Sequence, residues 1–367
     1  MYTFDQRLER VLNRRNPWPT AQFGGRIALA NARVFDSAEI TSPVERMIYL
    51  AMQPVDEACV EKSKEAGERV KEHLESKFKT LKMSVPKFEY QGSVVANTQI
   101  KGASDIDLLV INEQSFYWDE FGVKKEWNDA QVLFPIPPEK FKLKKVIDLP
   151  TYQGSGLEDV KQQRKICEDC LSVVYDDCNI SKGKSIQILN KSLDQKVDVV
   201  NCIWFDDATS IKHDDQYPYR GIKILDKSKG LLMLPDYPFI KIALIDGRDE
   251  RTNGHYKELI RLVKTLKEDV GGCEALSSFD IYSILYSMPE ASYAQLDGRE
   301  LVFALATYLQ GIAENRRVAD GIKKLDCEEF VFKDNDEKFY AFLKVFKDLL
   351  SLCEALKAVK HRMYVVG

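Results

Sequence analysis

The stretch that decides the fold is Ser104-Asp105-Ile106-Asp107-Leu108-Leu109-Val110, with Gly92-Ser93 upstream of it. Residues 106–111 form a compact apolar run of the kind a buried strand requires. In a strand, successive side chains point to opposite faces, so Asp105 and Asp107 project together while Ile106 and Leu108 enter the core. Two carboxylates that close repel and raise each other's pKa unless a cation sits between them. Hard oxygens of this kind suit Mg²⁺, which takes a few carboxylates together with substrate phosphates.

A third carboxylate would complete a two-metal site. Asp198 is the candidate, because it sits in the apolar run Lys196-Val197-Asp198-Val199-Val200, where a lone charge needs a partner. In such a site one ion activates an attacking hydroxyl and the other neutralises the leaving group. Gly92-Ser93 supplies the complementary half. Glycine lets the backbone approach a phosphate closely, and the following segment can offer backbone amides, from a short helix or turn, plus the Ser93 hydroxyl.

Around this centre the chain alternates strand and helix signals. Residues before about 55 read as an irregular start rich in Asn, Pro and Gly. Residues 55–78 then place Val55, Cys59, Ala66, Val70, Leu74 and Phe78 at helical spacing, which predicts one long amphipathic helix. Residues 85–90 alternate as a strand, residues 157–175 read as a helix, and residues 185–189 and 196–203 read as a hairpin. Residues 113–153 show no clean period and are left as an insertion or elaborated loop. Strand signals fade beyond about Asp206, and from Tyr256 onward the apolar spacing is helical. The expected domains are residues 1–205, carrying the sheet, and 206–367, helical.

Bulk composition narrows the class. The 367 residues are 44% hydrophobic and 30% charged with a formal charge of −4, a globular profile without a broad basic surface. No apolar run approaches the roughly 20 residues of a bilayer span, and the N-terminus lacks a signal-peptide block, so no membrane association and a cytoplasmic location are expected. Eight scattered cysteines suit a reducing compartment, and Cys167 and Cys170 read as core residues of the 157–175 helix. Gly183-Lys184-Ser185 imitates the end of a phosphate loop, but Cys178 stands where the pattern wants glycine and a strand follows where it wants a helix.

Gly92-Ser93 followed by the Asp105-Ile106-Asp107 strand resembles the signature of the DNA polymerase β-like nucleotidyltransferase superfamily. Within it the chain is most similar to the cGAS/DncV-like branch, which also contains oligoadenylate synthase. Asp198, the Tyr219-Arg220-Gly221-Ile222 stretch and the helical C-terminal part extend that resemblance over residues 55–360. The resemblance implies an α+β fold: a polymerase β-like core of mixed sheet with a long spine helix, plus a C-terminal helical lobe. It further implies two Mg²⁺ ions, with Mn²⁺ as the alternative, on Asp105, Asp107 and Asp198, and nucleoside triphosphates as substrates joined into a cyclic or short linear oligonucleotide messenger with release of pyrophosphate, in bacterial antiphage signalling.

By the same resemblance Lys264 would reach nucleotide phosphates, and Ser278 with Phe279 would hold and stack on the base, Phe279 standing where the family has tyrosine. Lys257, Arg261 and Lys264 do form one stripe on their predicted helix, as a solvated face would also. The animal synthase's zinc ribbon and basic DNA-binding surface have no counterpart in the sequence, so activation by double-stranded DNA is not supported. Some bacterial members end in a glycine that a dedicated enzyme conjugates to a target, and Gly367 ends this chain. Two other readings share the motif: transfer to RNA or protein, and a nucleotide sensor without catalysis.

Overall fold

The computed structural model describes residues 2–15, 42–102, 104–132, 135–214, 217–325 and 329–365, with side chains to 359; Gly367 lies outside the described residues. The chain forms two compact units that are interleaved in sequence. One consists of Met1–Val60, Ala96–Ala103 and Leu244–Gly367, the other of Glu61–Val95 and Ser104–Ala243.

The second unit is built on a mixed sheet of seven strands among the described residues: β1 (Lys87–Gln91), β2 (Ile106–Trp118), β3 (Cys178–Asn179), β4 (Ile186–Asn190), β5 (Gln195–Asp206), β6 (Gly221–Asp226) and β7 (Leu231–Leu232). The order is β1-β2-β5-β4-β3, with β6 on the far stretch of β5 and β7 beside β6. Only β2 and β5 run parallel; the other pairs are antiparallel. A parallel pair needs a crossover, and α6 (Gly156–Val174), capped by the Ser155 hydroxyl, supplies it.

The spine helix α3 (Glu57–Thr80) follows the expected pattern: Ala66, Val70, Leu74 and Phe78, at steps of four, are all buried. Polar bonds fix its register on the sheet, with Tyr90 donating to Glu68 at 2.8 Å and buried Ser63 reaching Gln195 at 3.2 Å and the Ser104 carbonyl at 3.4 Å. Asn112, Gln163 and Asn201 form a buried chain between β2, α6 and β5, in which Gln163 also donates to the Val110 carbonyl. Buried amides bonded to one another in this way favour one alignment of helix and strands, although the Asn201 Nδ2 itself has no partner among the described residues.

The other unit is helical. It contains α1 (Phe4–Arg15), α2 (Pro43–Met52), α9 (His255–Val270), α10 (Ser278–Tyr286), α11 (Gly298–Glu314), α12 (Arg316–Asp320) and α13 (Asp336–Val365) around one core that includes Met47, Tyr256, Leu285 and Leu349. The stretch 1–55 is thus not irregular throughout. In α1, Leu8, Val11 and Leu12 face this core, and α2 begins with Ser42 as cap and Pro43 in its first turn.

Three further expectations need correction. The boundary is not a single break near 205, because α1, α2 and residues 96–103 share the helical core while residues 206–243 stay with the sheet. Strands do not end at Asp206: Gly221–Asp226 pairs with β5. Residues 113–153 are not a loop throughout, since β2 runs on to Trp118 and is followed by α4 (Glu120–Ala130) and α5 (Lys140–Ile147). These pack with the short α7 (Ala208–Lys212) around Val123, Leu143 and Ile211. The remaining helix, α8 (Pro238–Arg251), connects residues of both sets. Among the described residues no helix is long and apolar enough to cross a membrane.

Candidate active site

Strand register assembles the site. Asp107 on β2 stands opposite Asp198 on β5, because the two strands pair in parallel with Ile106 against Val197 and Leu108 against Val199. On the outer sides, Gln91 of β1 pairs with Asp107 and Gln187 of β4 pairs with Asp198. Directly paired residues share a face, so Gln91, Asp107, Asp198 and Gln187 form a polar row across four strands. The hydrophobic neighbours Ile106, Leu108, Val197 and Val199 are fully buried on the opposite face and lock that register, since a slip of one residue would put carboxylates into the core. Asp105 lies just before β2, is exposed, and accepts a long 3.5 Å contact from Gln187.

Gly92 ends β1 in the left-handed region, with φ of +87°, and a β-carbon there would lie 2.4 Å from an Asp107 carboxylate oxygen. Glycine is required twice over, for the backbone conformation and for the close approach to the carboxylate. Ser93 follows, partly exposed, and opens a turn of residues 93–97; of the two forms expected for this segment, the structure has the turn.

Electrostatics mark Asp107 as the strained member. Burial, and then the neighbouring charges of Asp198 and Asp105, push its carboxyl up to about 7, with only Lys182 acting in the opposite sense. Asp198 is better compensated, accepting from the Ser185 hydroxyl at 3.2 Å and facing the Lys182 ammonium at 3.5 Å. Lys182, Ser185, Gln187 and Gln91 are neighbours of the carboxylates that sequence reasoning missed. The two glutamines could have been found by reading across from the carboxylates once the strands were paired. Lys182 and Ser185 lie in the segment set aside as a false phosphate loop.

The donor set fits a divalent cation: Asp107 and Asp198 pair on neighbouring strands with Asp105 just before the first, and Asp107 is half-buried with one cationic side chain, Lys182, offsetting its surroundings among the described residues. The set is not preassembled, since among the described residues no three acidic, cysteine or histidine side chains converge on one coordination point. Gln187 engages Asp105 and Lys182 faces Asp198.

The residues expected to reach nucleotide from the helical unit are placed as follows. Lys264 on α9 is buried, its ammonium donating to the Thr98 carbonyl at 2.7 Å, and burial lowers its pKa to about 7. Arg261 binds the carbonyls of Met52 and Asn97, and Lys257 pairs with Asp246, so this stripe is a set of internal contacts and not a solvated face. Ser278 begins α10, but the cap is Ser277, in a reciprocal capping box with Asp280. Phe279 is partly buried against the helical core, edge-on to Tyr282. Cys167 and Cys170 are buried in α6 as expected.

Residues 244–351 match the cGAS/DncV-like nucleotidyltransferase C-terminal helical domain. A c-di-GMP synthase of Lachnospiraceae bacterium (strain RUG226) is 32% identical to this chain, over 95% of this chain and 97% of its own length. The chain belongs to the cGAS/DncV-like nucleotidyltransferases. A c-di-GMP synthase of Capnocytophaga granulosa is 34% identical over 80% of this nucleotidyltransferase and 82% of the relative. Among solved structures, a STING-associated CdnE c-di-GMP synthase from Flavobacteriaceae sp. superposes with a TM-score of 0.82 at 28% identity, covering 97% of this chain and 99% of that one. The polymerase β-like core with a helical C-terminal lobe is therefore the fold of this enzyme.

Proposed function

We propose that this nucleotidyltransferase joins two molecules of GTP into the cyclic dinucleotide c-di-GMP. The observation that carries the reading is the Asp107–Asp198 pairing, with Asp105 and Gly92 beside it, in a chain whose relatives over 95% and 80% of its length are c-di-GMP synthases. In each of two steps a ribose hydroxyl attacks an α-phosphorus, a new P–O bond forms, the α–β anhydride bond breaks, and pyrophosphate leaves. The balance is two GTP to one ring and two pyrophosphates.

Asp105, Asp107 and Asp198 would hold two Mg²⁺ ions, or Mn²⁺, which supply Lewis-acid activation of the hydroxyl and charge neutralisation of the departing pyrophosphate. The chain's own residues do the rest. The proton of the attacking hydroxyl passes to a carboxylate oxygen of the trio. Gly92 opens room at Asp107, and Ser93 with the turn amides after it holds phosphate oxygens. Lys264 would exchange the Thr98 carbonyl for a phosphate oxygen, and Ser278 with Phe279 would hold the base. The product would act as a second messenger in antiphage defence.

Incubating the protein with Mg²⁺ and each labelled triphosphate, alone and mixed, tests this. GTP alone should yield one phosphatase-resistant product with the mass of c-di-GMP and one pyrophosphate per GTP consumed. A product requiring a second nucleotide would overturn the choice of GTP, and label entering only RNA or protein would overturn small-messenger synthesis.

A further inference from the structure

The Lys182 ammonium faces Asp198 at 3.5 Å while its side chain stays 40% exposed. As a stabilising ion pair it contributes little, because a loose, partly solvated pair gains modest attraction in high dielectric against the entropy of holding a long side chain in place. Yet its backbone is held with unusual care. Arg164, only 2% exposed, donates to the Lys182 carbonyl at 3.1 Å and the Ser185 carbonyl at 2.9 Å, bracketing the loop at both ends. Arg164 is itself braced by Glu168 at 2.7 Å, and Glu168 also binds the Lys227 ammonium at 2.8 Å.

The loop centre is fixed too. The Lys227 amide donates to the Gly183 carbonyl at 2.8 Å, and a β-carbon on Gly183 would lie 2.7 Å from an Asp226 oxygen and 2.8 Å from the Ser228 hydroxyl. A rigid backbone thus presents a long, partly free cation beside the carboxylate row. Such an arrangement pre-organises a ligand contact at low entropic cost, whereas the pair itself gains little from it.

We propose that Lys182 is a substrate-binding residue that contacts the polyphosphate of the nucleoside triphosphate, and that the Arg164–Glu168–Lys227 brace exists to place it. The proposal rests on the nucleotidyl-transfer reading of the carboxylate site and adds to it a phosphate contact on the β3–β4 loop. Lysine suits this role as a compact point charge able to follow a polyphosphate.

The test is isothermal calorimetry of a non-hydrolysable GTP analogue and of GMP, with Mg²⁺, on wild type, Lys182→Met and Lys182→Arg, beside melting temperatures. The Met variant should bind the analogue about ten- to a hundredfold more weakly, the loss of one charge-assisted contact. It should bind GMP within about threefold of wild type and melt within about 2 °C of it, and Lys182→Arg should recover most of the analogue affinity. The proposal is overturned if analogue and GMP weaken together, or if the analogue is unaffected, whatever the melting temperature does. Binding needs no turnover, so failure to make c-di-GMP leaves this readout standing, whereas a wild type that binds neither ligand sinks the nucleotide reading and this one with it.

Discussion

Replacing Asp107 by Asn should stabilise the metal-free protein, and by an amount that depends on pH. In the folded protein burial and the neighbouring carboxylates raise the Asp107 carboxyl from 3.8 to about 7. A folded-state pKa above the unfolded value means that the folded protein holds the proton more tightly. The group therefore favours folding fully below pH 3.8, and that contribution is lost as pH rises to 7. Between pH 5 and pH 8 the loss spans about two units, at ~1.4 kcal/mol each, for an upper figure of ~2.7 kcal/mol. Partial exposure of the side chain screens the effect, leaving ~1.5–2.5 kcal/mol.

Asn at this position does not titrate, so the stability difference, variant minus wild type, should grow by that amount between pH 5 and pH 8. Denaturant unfolding in EDTA, followed through the fluorescence of Trp118, Trp127 and Trp204 in the sheet unit, measures it. Comparing the difference at two pH values cancels the packing cost of the substitution. Excess Mg²⁺ at pH 8 should then raise the wild type toward the variant. A difference constant within ~0.5 kcal/mol across that range would refute the claim that Asp107 sits in a crowded acidic row.

Other substitutions test separate parts of the account. Gly92→Ala meets Asp107 at 2.4 Å and strains a φ of +87°, so kcat/KM for pyrophosphate release should fall at least ~100-fold. Arg164→Met removes one partner of Glu168, which is 4% exposed, and should cost ~3 kcal/mol in denaturant unfolding, with Arg164→Met/Glu168→Leu recovering part of the loss. Asp280→Ala removes the reciprocal cap of α10 and strands the Lys338 ammonium that binds it at 2.9 Å; thermal melting of the helical unit should show a loss of ~2 kcal/mol.

The decisive strand was legible because its two periodicities agree: apolar residues on one face and carboxylates on the other leave one register open. The spine helix and the β4–β5 hairpin were legible for the same reason, each having a buried face of clean period. What escaped was set by tertiary partners. β6 needs β5 to be recognised, since Gly221 and Pro218 before it read as a loop. α4 and α5 bury only Val123, Ala130 and Leu143 between them, too few for a visible period. α1 was readable from Leu8, Val11 and Leu12 but was masked by its Arg-rich composition.

In the site, Asp105, Asp107, Asp198, Gly92 and Ser93 were visible as motif residues. Gln187 and Lys182 were not, because their relation to the carboxylates exists only through strand order and through Arg164's grip on the loop. Lys264 shows the opposite failure: a lysine that reads as solvent-facing on a helical wheel is buried on a backbone carbonyl.

The central claim is that the three carboxylates act as one catalytic centre. Its most direct measurement is pyrophosphate release from GTP by Asp105→Ala, Asp107→Asn and Asp198→Ala side by side with wild type, each shown to be folded by its melting curve. All three should fall at least ~1,000-fold, and combining any two should cost little more than one alone. Retention of wild-type activity by any one of them would remove that residue from the centre, and retention by Asp198→Ala would show that the juxtaposition of Asp107 and Asp198 across β2 and β5 does not build it.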